Sequence, residues 1–380
     1  MPQQQKRYYD LAIVGAGIVG LAHALIAGRR GLKTVVFERD EEPRGASALN
    51  FGMLWPIGQR PGKVLSRALR SMEIWRDLFD KAGVWNDPCG SLLLARREDE
   101  LRTLQEFLEG SAEGGHDCRW LSPAEVAEKA PGVRQKGLLG ALHSRRETLI
   151  QPRQALACLA SFLRERFDTS FHFKTEVNNV ESPLIETTRG RFHADRVLIC
   201  SGTDFETLFP EAFRESGTLR CSLQMMKTSA QPSPWKLGAM VTDSLTYSRY
   251  RTFKSCPSHA AMEKRVLAEH GDLERLGITV LAAQDNEAGL IIGDSHHTAW
   301  SLPEAPDPAI DEKILSHLRG MIDAPHLDID RRWSAAYPVH PELTEVLLEP
   351  AANTRIVLAS GGNGMTTSFA LAEEVLEVRG

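Results

Sequence analysis

The chain has 380 residues, a length that suits two domains better than one small core, and 42% of the residues are hydrophobic and 25% charged, as in an ordinary globular protein. Its formal net charge of −5 provides no basic surface for nucleic acid, and no run of like charge indicates an interaction tail. The composition therefore argues against nucleic acid as a partner and favours small molecules.

The stretch from Asp10 to Glu38 predicts a strand, a glycine turn, a helix and a second strand. Its glycines have the spacing G-x-G-x-x-G: Gly15 makes the tight turn, Gly17 lets a pyrophosphate approach the backbone, and Gly20 lets the helix lie close to the strand. The helix then begins at the phosphates, and Glu38 ends the second strand, where a carboxylate accepts hydrogen bonds from a ribose. Because strand, helix and terminal acid agree, we expect dinucleotide binding rather than a chance glycine turn.

Residues 11–28 also resemble a secretory signal sequence, because Lys6 and Arg7 precede an apolar run that contains the small residues Ala22 and Ala24. The glycines of this run argue against that interpretation, and cleavage there would destroy the dinucleotide motif. We therefore expect a βα unit and a cytoplasmic location. No other stretch is long and apolar enough to span a bilayer, so we expect no membrane partner.

The six cysteines form no C-x-x-C pair and have no disulfide-framework spacing. We expect free, mostly buried thiols and no metal site. The residues concerned are Cys89, Cys118, Cys158, Cys200, Cys221 and Cys256.

Small residues are frequent in the segment after the second strand. Gly45, Ser47 and Gly52 let the backbone run close to a flat ligand, although an ordinary turn is the alternative. Residues 64–79 then have the apolar spacing of an amphipathic helix. Its basic residues are expected to form mostly its solvated side, namely Lys63, Arg67, Arg70 and Arg76.

Two stretches, 86–145 and 206–329, predict a β-rich second domain that is interrupted in sequence. Their expected strands are 91–95, 219–228, 245–253, 278–283 and 289–293, and their expected helices are 98–109, one that starts at Ser122, 260–270 and 311–322.

The remaining sequence predicts elements that return to the first domain. The buried strand at 194–202 ends in glycine, as a returning strand of a nucleotide domain does. The other expected elements are a helix at 152–166, strands at 170–174, 184–188 and 355–360, a glycine loop at 361–364 and a helix at 366–378.

The predicted fold class is therefore α/β plus α+β. A Rossmann-like nucleotide domain is expected from residues 1–85, 146–205 and 330–380. A discontinuous β-rich substrate domain is expected from residues 86–145 and 206–329.

Three segments in order carry a family resemblance: the opening glycine motif, the strand at 194–202, and the closing loop SGGNGMTTSF at 360–369. Over nearly its full length the chain resembles the FAD-dependent amine and amino-acid oxidases, which include glycine oxidase, sarcosine oxidase and D-amino acid oxidase. The segments NFGMLWP, LQMM and GDSH further resemble a bacterial subfamily linked to aminophosphonate breakdown.

The resemblance implies that FAD occupies the dinucleotide site. Backbone N–H groups where the last helix begins would stabilise the negative charge that reduced flavin carries near N1 and O2. The FAD is expected to be non-covalent, since Trp333–Pro338 contains no cysteine and Ser47–Asn50 no histidine, where relatives attach flavin. The implied cofactor-binding residues are Gly15, Gly17, Gly20, Glu38, Arg39, Ser47, Asn50, Gly52, Met53, Val177, Gly202, Gly362, Asn363, Gly364, Met365 and Thr366.

One departure from the family pattern concerns the substrate. In glycine oxidase and its kin, an arginine before the proline of a W-x-x-x-R-P stretch binds the substrate carboxylate, whereas this chain has Tyr337 before Pro338. Because bidentate carboxylate recognition strongly prefers arginine, a simple α-amino acid is a less suitable substrate. Tyr337 is expected to donate a hydrogen bond to the substrate's anion instead.

Arg249 is the preferred candidate for binding a phosphonate. On the predicted strand at 245–253 it points to the same face as Arg251, although a solvated strand face is the alternative for both. Arg60 and Lys63 are further candidates.

His296 is the preferred candidate for taking a proton from the amine, because it follows a predicted strand that borders the substrate cavity in relatives and its ordinary pKa is near neutrality. His340 is the runner-up. Met225 and Met226 are expected to pack rather than react. For Lys227, an oxygen-activating charge and a surface residue both stay open.

Together these features predict an FAD-dependent oxidase of a small aminophosphonate, 2-aminoethylphosphonate or an N-methylated form. Its C–N bond would be oxidised to an imine that hydrolyses to an aldehyde, with oxygen as acceptor and hydrogen peroxide as product. The main alternative is oxidation of glycine, sarcosine or a D-amino acid. Two further alternatives stay open: a dehydrogenase that passes electrons to a quinone or a carrier protein, and a non-catalytic nucleotide-binding subunit. A nicotinamide enzyme is less suitable, because the closing glycine loop would then have no role.

Overall fold

The computed structural model describes residues 8–302 and 305–377, so that Lys6, Arg7 and the predicted helix end at residue 378 lie outside the described residues. The strands within these ranges are β1 (Tyr8–Val14), β2 (Thr34–Phe37), β3 (Met53–Leu54), β4 (Asn86–Asp87), β5 (Ser91–Ala95), β6 (Cys118–Leu121), β7 (Gly140–Ser144), β8 (Thr148–Ile150), β9 (Ser170–His172), β10 (Val177–Glu181), β11 (Leu184–Thr187), β12 (Gly190–Ile199), β13 (Leu219–Thr228), β14 (Met240–Thr242), β15 (Leu281–Gln284), β16 (Leu290–Gly293), β17 (His297–Ala299), β18 (Ile329–Val339), β19 (Glu345–Ala351) and β20 (Thr354–Ala359).

The α-helices of the same ranges are α1 (Ile18–Arg29), α2 (Ala46–Leu49), α3 (Lys63–Lys81), α4 (Glu98–Ser111), α5 (Pro123–Lys129), α6 (Pro152–Phe167), α7 (Pro210–Glu215), α8 (Ser244–Tyr247), α9 (His259–Arg275), α10 (Pro308–Met321) and α11 (Gly364–Glu377). Among these described helices, none combines the length and the apolar character that crossing a bilayer requires.

An eight-stranded sheet is organised around β1, which lies parallel between β12 and β2. On its outer side the long β12 pairs first with β11, antiparallel, and then with β20, parallel. Helices α1, α3, α6 and α11 cover one face of this sheet, and an apolar cluster that includes Phe37, Phe205 and Phe213 covers the other. Burial on both faces explains why β1 and β2 are almost continuously apolar in sequence. The predicted Rossmann-like architecture is confirmed.

A nine-stranded sheet has the order β17-β13-β16-β15-β14-β5-β7-β6, with β18 also paired to β13. Its neighbours run antiparallel except β14 and β5, which are parallel. Its largest apolar cluster includes Tyr247, Phe253 and Met262, which come from α8, α9 and the segment between them. A third, small sheet has the order β3-β8-β4. The expected β-rich region, built from separate stretches of sequence, is therefore present.

One strand crosses the predicted domain limit at residue 330. That limit assigns nearly all of β18 to the nucleotide domain, but β18 pairs with β13 from Val339, opposite Leu219, to Ile329, opposite Thr228. The backbone hydrogen bonds of β18 thus belong to the nine-stranded sheet. The division into two domains stays a prediction, and the pairing of β18 moves its last limit to the end of that strand.

The predicted strand at 245–253 is wrong. Residues 244–247 form the short helix α8, because the carboxylate of Asp243 accepts a hydrogen bond from the N–H of Leu245 at 3.2 Å and caps the helix. Turns follow it, and Arg249 and Arg251 therefore do not share the face of a strand.

The expected solvated side of α3 contains one buried residue, Arg67, whose side chain is only 2% exposed. Its guanidinium donates two hydrogen bonds to Glu345 of β19 and two to Glu374 of α11, all of 2.8 Å. The expectation is wrong for Arg67 because α11 packs along α3, so this position faces a second helix instead of water. The other three basic residues of that side are exposed, as expected.

The Glu345 carboxylate should make stability fall in acid. Hydrogen bonding to Arg67 lowers the pKa of Glu345 to about 2 from its ordinary value of 4.5. Because the folded pKa is the lower one, the stabilisation is fully present above about pH 4.5 and is lost as the pH falls toward 2. We expect the urea midpoint, followed by circular dichroism, to fall between about pH 6 and pH 3 in the wild type, and to fall less in Glu345→Gln.

Glu349→Gln is the matched control, since Glu349 lies on the same strand and is 67% exposed. This control should keep the wild-type pH dependence. An equal fall in the wild type and in Glu345→Gln would contradict the assignment.

Candidate active site

A cavity of about 1200 Å³ lies between the two large sheets. One wall is formed where the parallel strands β1, β2, β12 and β20 end, and another by residues of β13, β15 and β18. In open α/β folds, ligands bind outside the carboxyl ends of the strands. The volume exceeds the roughly 300–1000 Å³ of most small-molecule pockets, so the cavity has room for a ligand of dinucleotide size.

The glycine turn forms the cavity wall between β1 and α1. Gly15 has φ of +103°, and a Cβ there would lie 2.4 Å from the carbonyl oxygen of Cys200. A Cβ on Gly20 would lie 2.0 Å from the carbonyl oxygen of Gly15, so α1 approaches β1 as closely as the sequence predicts. Gly17 precedes the first helical residue, and the N–H of Ile18 donates to Ser47 Oγ at 3.0 Å. The start of α1 therefore lies at the cavity wall, and the small side chain of Ser47 contacts its first N–H group.

Glu38 lies at the cavity where β2 ends. Its Oε2 accepts a hydrogen bond from the N–H of Ala16 at 3.0 Å, and its Oε1 accepts one from Asp40 at 3.2 Å. These bonds hold the carboxylate beside the glycine turn, where a ribose contact is expected. Arg39 also lines the cavity and forms an ion pair with Asp204.

The closing glycine loop and the start of α11 line the cavity beside β18. Gly362 has φ of +74°, and a Cβ there would lie 3.3 Å from the ring of Tyr337. The N–H of Trp55 donates to Thr366 Oγ1 at 2.9 Å, and Gln59 Nε2 donates to Asn363 Oδ1 at 3.0 Å. The loop and the start of α11 are thus fixed by a backbone N–H and a side chain from the segment that follows α2.

FAD fits this arrangement on three observations: the size of the cavity, the two helices α1 and α11 that begin at its wall, and the glycines that leave backbone N–H groups uncovered. Helix N-termini with accessible N–H groups stabilise phosphate and other negative charge. The donors are therefore suited to both the pyrophosphate and the reduced flavin ring.

Most of the expected cofactor residues line the cavity, namely Gly15, Gly17, Glu38, Arg39, Ser47, Asn50, Met53, Val177, Gly202, Gly362, Asn363, Gly364, Met365 and Thr366. Gly20 and Gly52 do not: each packs against backbone, and a Cβ on Gly52 would lie 2.1 Å from the carbonyl oxygen of Ile150. The contact of each residue with FAD stays a prediction.

The three expected catalytic residues, His296, Tyr337 and Arg249, all line the cavity. The Nδ1 of His296 lies 3.0 Å from the carbonyl oxygen of Gly277. The Tyr337 hydroxyl lies beside the thiol of Cys221, and burial raises the pKa of Tyr337 well above its ordinary value, so it stays a neutral hydroxyl. The geometry brings the three together, while their roles stay predictions.

Arg249 already has a counter-charge. Its Nε donates to both carboxylate oxygens of Glu274 at 3.0 and 3.1 Å, and its Nη1 donates to the carbonyl oxygen of Gly277 at 3.2 Å. A guanidinium that is neutralised in this way has few donors left for a substrate anion. Arg60 and Arg251, the other expected candidates at the cavity, are exposed.

Other expected candidates have partners as well. Lys227 forms ion pairs with Asp285, at 2.6 Å, and with Glu287, and it does not line the cavity. His340 does line it, but its Nδ1 accepts hydrogen bonds from the following backbone. Met225 is buried in an apolar cluster, as expected.

Sequence reasoning missed Asp294, whose carboxylate lines the cavity although the residue is only 5% exposed. Its Oδ1 accepts a hydrogen bond from the Thr279 hydroxyl, and its Oδ2 lies 3.7 Å from His296 Nε2. The available signal was an acid directly after the buried strand at 289–293. Thr246, Tyr250 and Trp55, which also line this part of the cavity, carried no comparable signal.

All six cysteines are free thiols, of which Cys200, Cys221 and Cys256 are buried and the others half-buried. In the part of the chain that the structure describes, no group of three or more His, Cys, Asp or Glu side chains is arranged to hold a metal ion.

Comparison with known proteins is consistent with a cavity that binds FAD. A family model described as FAD dependent oxidoreductase (DAO) matches residues 10–378. The glycine oxidase of Geobacillus kaustophilus is 27% identical over 207 residues, which are 51% of this chain and 54% of that protein. An L-2-hydroxyglutarate dehydrogenase of Escherichia coli is 24% identical over 223 residues, 56% of this chain and 52% of that protein. The match thus spans about half the length of these relatives.

The fold agreement extends further than the sequence agreement. The crystal structure of glycine oxidase from Geobacillus kaustophilus superposes with a TM-score of 0.77 at 19% identity and covers 98% of this chain and 94% of that one. Since the family model spans nearly the whole chain and the cavity fits its cofactor, the protein belongs to the DAO family of FAD-dependent oxidoreductases and is an enzyme that uses FAD.

Proposed function

We propose that the enzyme is an oxidase of a small amine that carries a phosphonate, such as 2-aminoethylphosphonate or its N-methyl form. One observation carries the proposal: two guanidiniums, Arg60 and Arg251, reach the cavity without a carboxylate partner in residues 8–302 and 305–377. The cavity also has Tyr337 at the position where the family resemblance implies a carboxylate-binding arginine. The site would therefore recognise an anion differently from an amino-acid oxidase.

The two guanidiniums have donors to spare. Arg251 donates one hydrogen bond, from Nη2 to the carbonyl oxygen of Pro341 at 2.9 Å, and Arg60 makes no side-chain hydrogen bond to another described residue. Arginine forks suit the oxygens of phosphoryl groups, and charge-assisted bonds of this kind are about twice as strong as neutral ones. A phosphonate offers three such oxygens, one more than a carboxylate.

FAD, when bound, supplies the acceptor for a hydride from the carbon next to nitrogen. The protein's part is to hold the anionic end, to keep the amine nitrogen unprotonated and to exclude water from the reacting carbon. The resulting imine hydrolyses to an aldehyde and ammonia or an amine. Oxygen is the proposed acceptor for the reduced cofactor, with hydrogen peroxide as product.

The test is peroxide formation by the holoenzyme with 2-aminoethylphosphonate and its N-methyl form, set against glycine, sarcosine and D-alanine. We expect kcat/KM to be at least about tenfold higher for one aminophosphonate than for any of the amino acids. Faster turnover of an amino acid would overturn the substrate and leave the flavin enzyme intact. Bleaching of the flavin by substrate without peroxide would indicate a dehydrogenase.

Arg251→Gln and Arg60→Gln should weaken phosphonate binding. For at least one of them we expect KM for the aminophosphonate to rise roughly tenfold or more with little change in kcat, because a charge-assisted hydrogen bond is lost in the ground state and the transition state alike. Arg97→Gln is the control, since Arg97 is 62% exposed and does not line the cavity. An unchanged KM in both variants and in their double variant would remove these arginines from the anion site.

A further inference from the structure

Asp294 directly follows β16, and its backbone is fixed to the neighbouring chain in both directions. Its N–H donates to the carbonyl oxygen of Thr279 at 2.8 Å, and the N–H of Thr279 donates to the carbonyl oxygen of Asp294 at 2.9 Å. The Thr279 hydroxyl occupies Oδ1. Both residues line the cavity, so the carboxylate is held at its wall with Oδ2 left for another partner.

The charge of Asp294 has no basic partner at hydrogen-bonding distance among the described residues. Its nearest basic group is His296 Nε2, at 3.7 Å, and Arg249 is engaged by Glu274. Two other buried acids of the same sheet region have basic partners, because Asp285 contacts Lys227 at 2.6 Å and Asp311 contacts Arg332 at 3.0 Å. A buried carboxylate that is not paired at hydrogen-bonding distance costs the fold stability, and at the cavity wall a cationic group of a ligand would offset that cost.

The state of His296 follows from its other nitrogen. A carbonyl oxygen only accepts hydrogen bonds, so the contact with Gly277 places a hydrogen on Nδ1. The Nε2 that faces Asp294 is then either a lone pair or a second N–H. Asp294 and His296 are therefore able to share one proton between Oδ2 and Nε2.

We propose that Asp294 binds the amine nitrogen of the substrate, and that the Asp294–His296 pair takes the proton from that nitrogen before the substrate is oxidised. This inference rests on the proposed function only in requiring an amine as substrate. One N–H bond of the ammonium breaks, its electron pair stays on nitrogen, and the proton passes to the pair. The amine then has the lone pair that assists the loss of hydride from the adjacent carbon.

The surroundings of Asp294 suit a proton acceptor. Burial raises the pKa of Asp294, while the charges of His296 and Arg249 and the hydrogen bond from Thr279 oppose that rise. The remaining titratable groups near it, Tyr250, Tyr337 and Cys221, are two neutral hydroxyls and a neutral thiol whose pKa values burial also raises. A carboxylate of this kind accepts a proton more readily than an exposed one.

Asp294→Asn tests binding separately from turnover. The probes are 2-aminoethylphosphonate and its nitrogen-free analogue propylphosphonate. Each is titrated without oxygen into the enzyme whose FAD has been reduced beforehand with dithionite, so that no hydride can be transferred, and binding is followed by calorimetry. In the wild type the amine should bind more tightly than the analogue. In Asp294→Asn we expect this preference to fall roughly 10- to 100-fold while propylphosphonate binding is unchanged.

If the wild type oxidises glycine instead, the proposed phosphonate substrate fails, and the same test is run with glycine and propionate. A failure of the proposed phosphonate substrate is thus distinguished from a failure of the role of Asp294. Asp311→Asn is the matched control, because Asp311 is as buried as Asp294 but does not line the cavity. An unchanged amine preference in Asp294→Asn would overturn the binding role.

His296→Gln gives a second, independent measurement at a side chain that is 30% exposed. It should keep the preference for the amine but move the acid limb of the pH profile of kcat/KM upward, toward the amine's own pKa near about 10. A purely structural His296 would lower activity without moving that limb, and this result would overturn the shared-proton role.

Discussion

Arg67→Ala is expected to lower the free energy of unfolding by about 3–5 kcal/mol, the range found when one partner of a buried ion pair is removed. The Arg67 guanidinium is buried between Glu345 and Glu374, and it joins α3 to β19 and to α11. Without it, two carboxylates face each other, and the exposed Lys63 lies 3.4 Å from each. Urea unfolding followed by circular dichroism measures the change.

Arg70→Ala is the matched control, since Arg70 lies one turn further along the same helix and also bonds two carboxylates, those of Glu73 and Glu373. Its side chain is 49% exposed, so water replaces the lost bonds, and we expect a change of about 1 kcal/mol or less. Similar losses of unfolding free energy in Arg67→Ala and Arg70→Ala would show that the burial of the Arg67 ion pairs adds nothing to stability.

Gly17→Ala is expected to weaken FAD binding roughly 100-fold while leaving the apoprotein folded. Gly17 has φ of −67° and ψ of 176°, which alanine adopts without strain. Its Cβ would lie 3.1 Å from Ser47 Oγ, in front of the N–H groups at the start of α1. The methyl group would therefore obstruct the pyrophosphate more than it would disturb packing, and FAD retention on gel filtration, with fluorescence titration of the apoprotein, measures the loss.

Variants of two other glycines separate an effect on FAD binding from an effect on stability. Gly320→Ala, in α10, has no atom within 4 Å of its new Cβ and should change neither FAD binding nor stability by much. Gly20→Ala places its Cβ 2.0 Å from the Gly15 carbonyl oxygen and should destabilise the fold itself. Full retention of FAD by Gly17→Ala would mean that the cofactor does not approach this turn.

The sequence predicts the nucleotide half of the cavity well because its signals are local. Glycine spacing, apolar runs of strand length and a terminal acid are set by backbone geometry within about thirty residues, as in the turn from Gly15 to Glu38. The structure places β2 at Thr34–Phe37, directly before Glu38, where the second strand is predicted. The closing loop is equally local, since its glycines directly precede α11.

The substrate half depends on partners that are distant in sequence. Arg249 and Arg67 look alike as exposed cations in the sequence, yet Glu274 neutralises the first and α11 buries the second. The role proposed for Asp294 depends on Thr279 and His296, which the fold places next to its two carboxylate oxygens. No periodicity encodes such pairings, so residue-level predictions there were weaker than for the glycine turn.

The prediction of secondary structure was wrong in one place for a similar reason. The aromatic and β-branched residues after Asp243 favour a strand, but the cap that this aspartate provides turns the chain into α8. The predicted domain limit at residue 330 could not take the pairing of β18 into account, because that strand pairs with β13, which lies far upstream.

The pairing of β12 with both β11 and β20 bears on how the protein matures. The strand that completes the nucleotide sheet beside β12, and the glycine loop that follows it, are synthesised long after the Gly15 turn. A ribosome-bound chain that has emerged only as far as β12 has one wall of the FAD cavity, and the sheet edge at β12 where β20 later pairs is open. Uptake of FAD should therefore be a late event in biogenesis, and until then the nascent chain has to keep that edge from pairing with other strands.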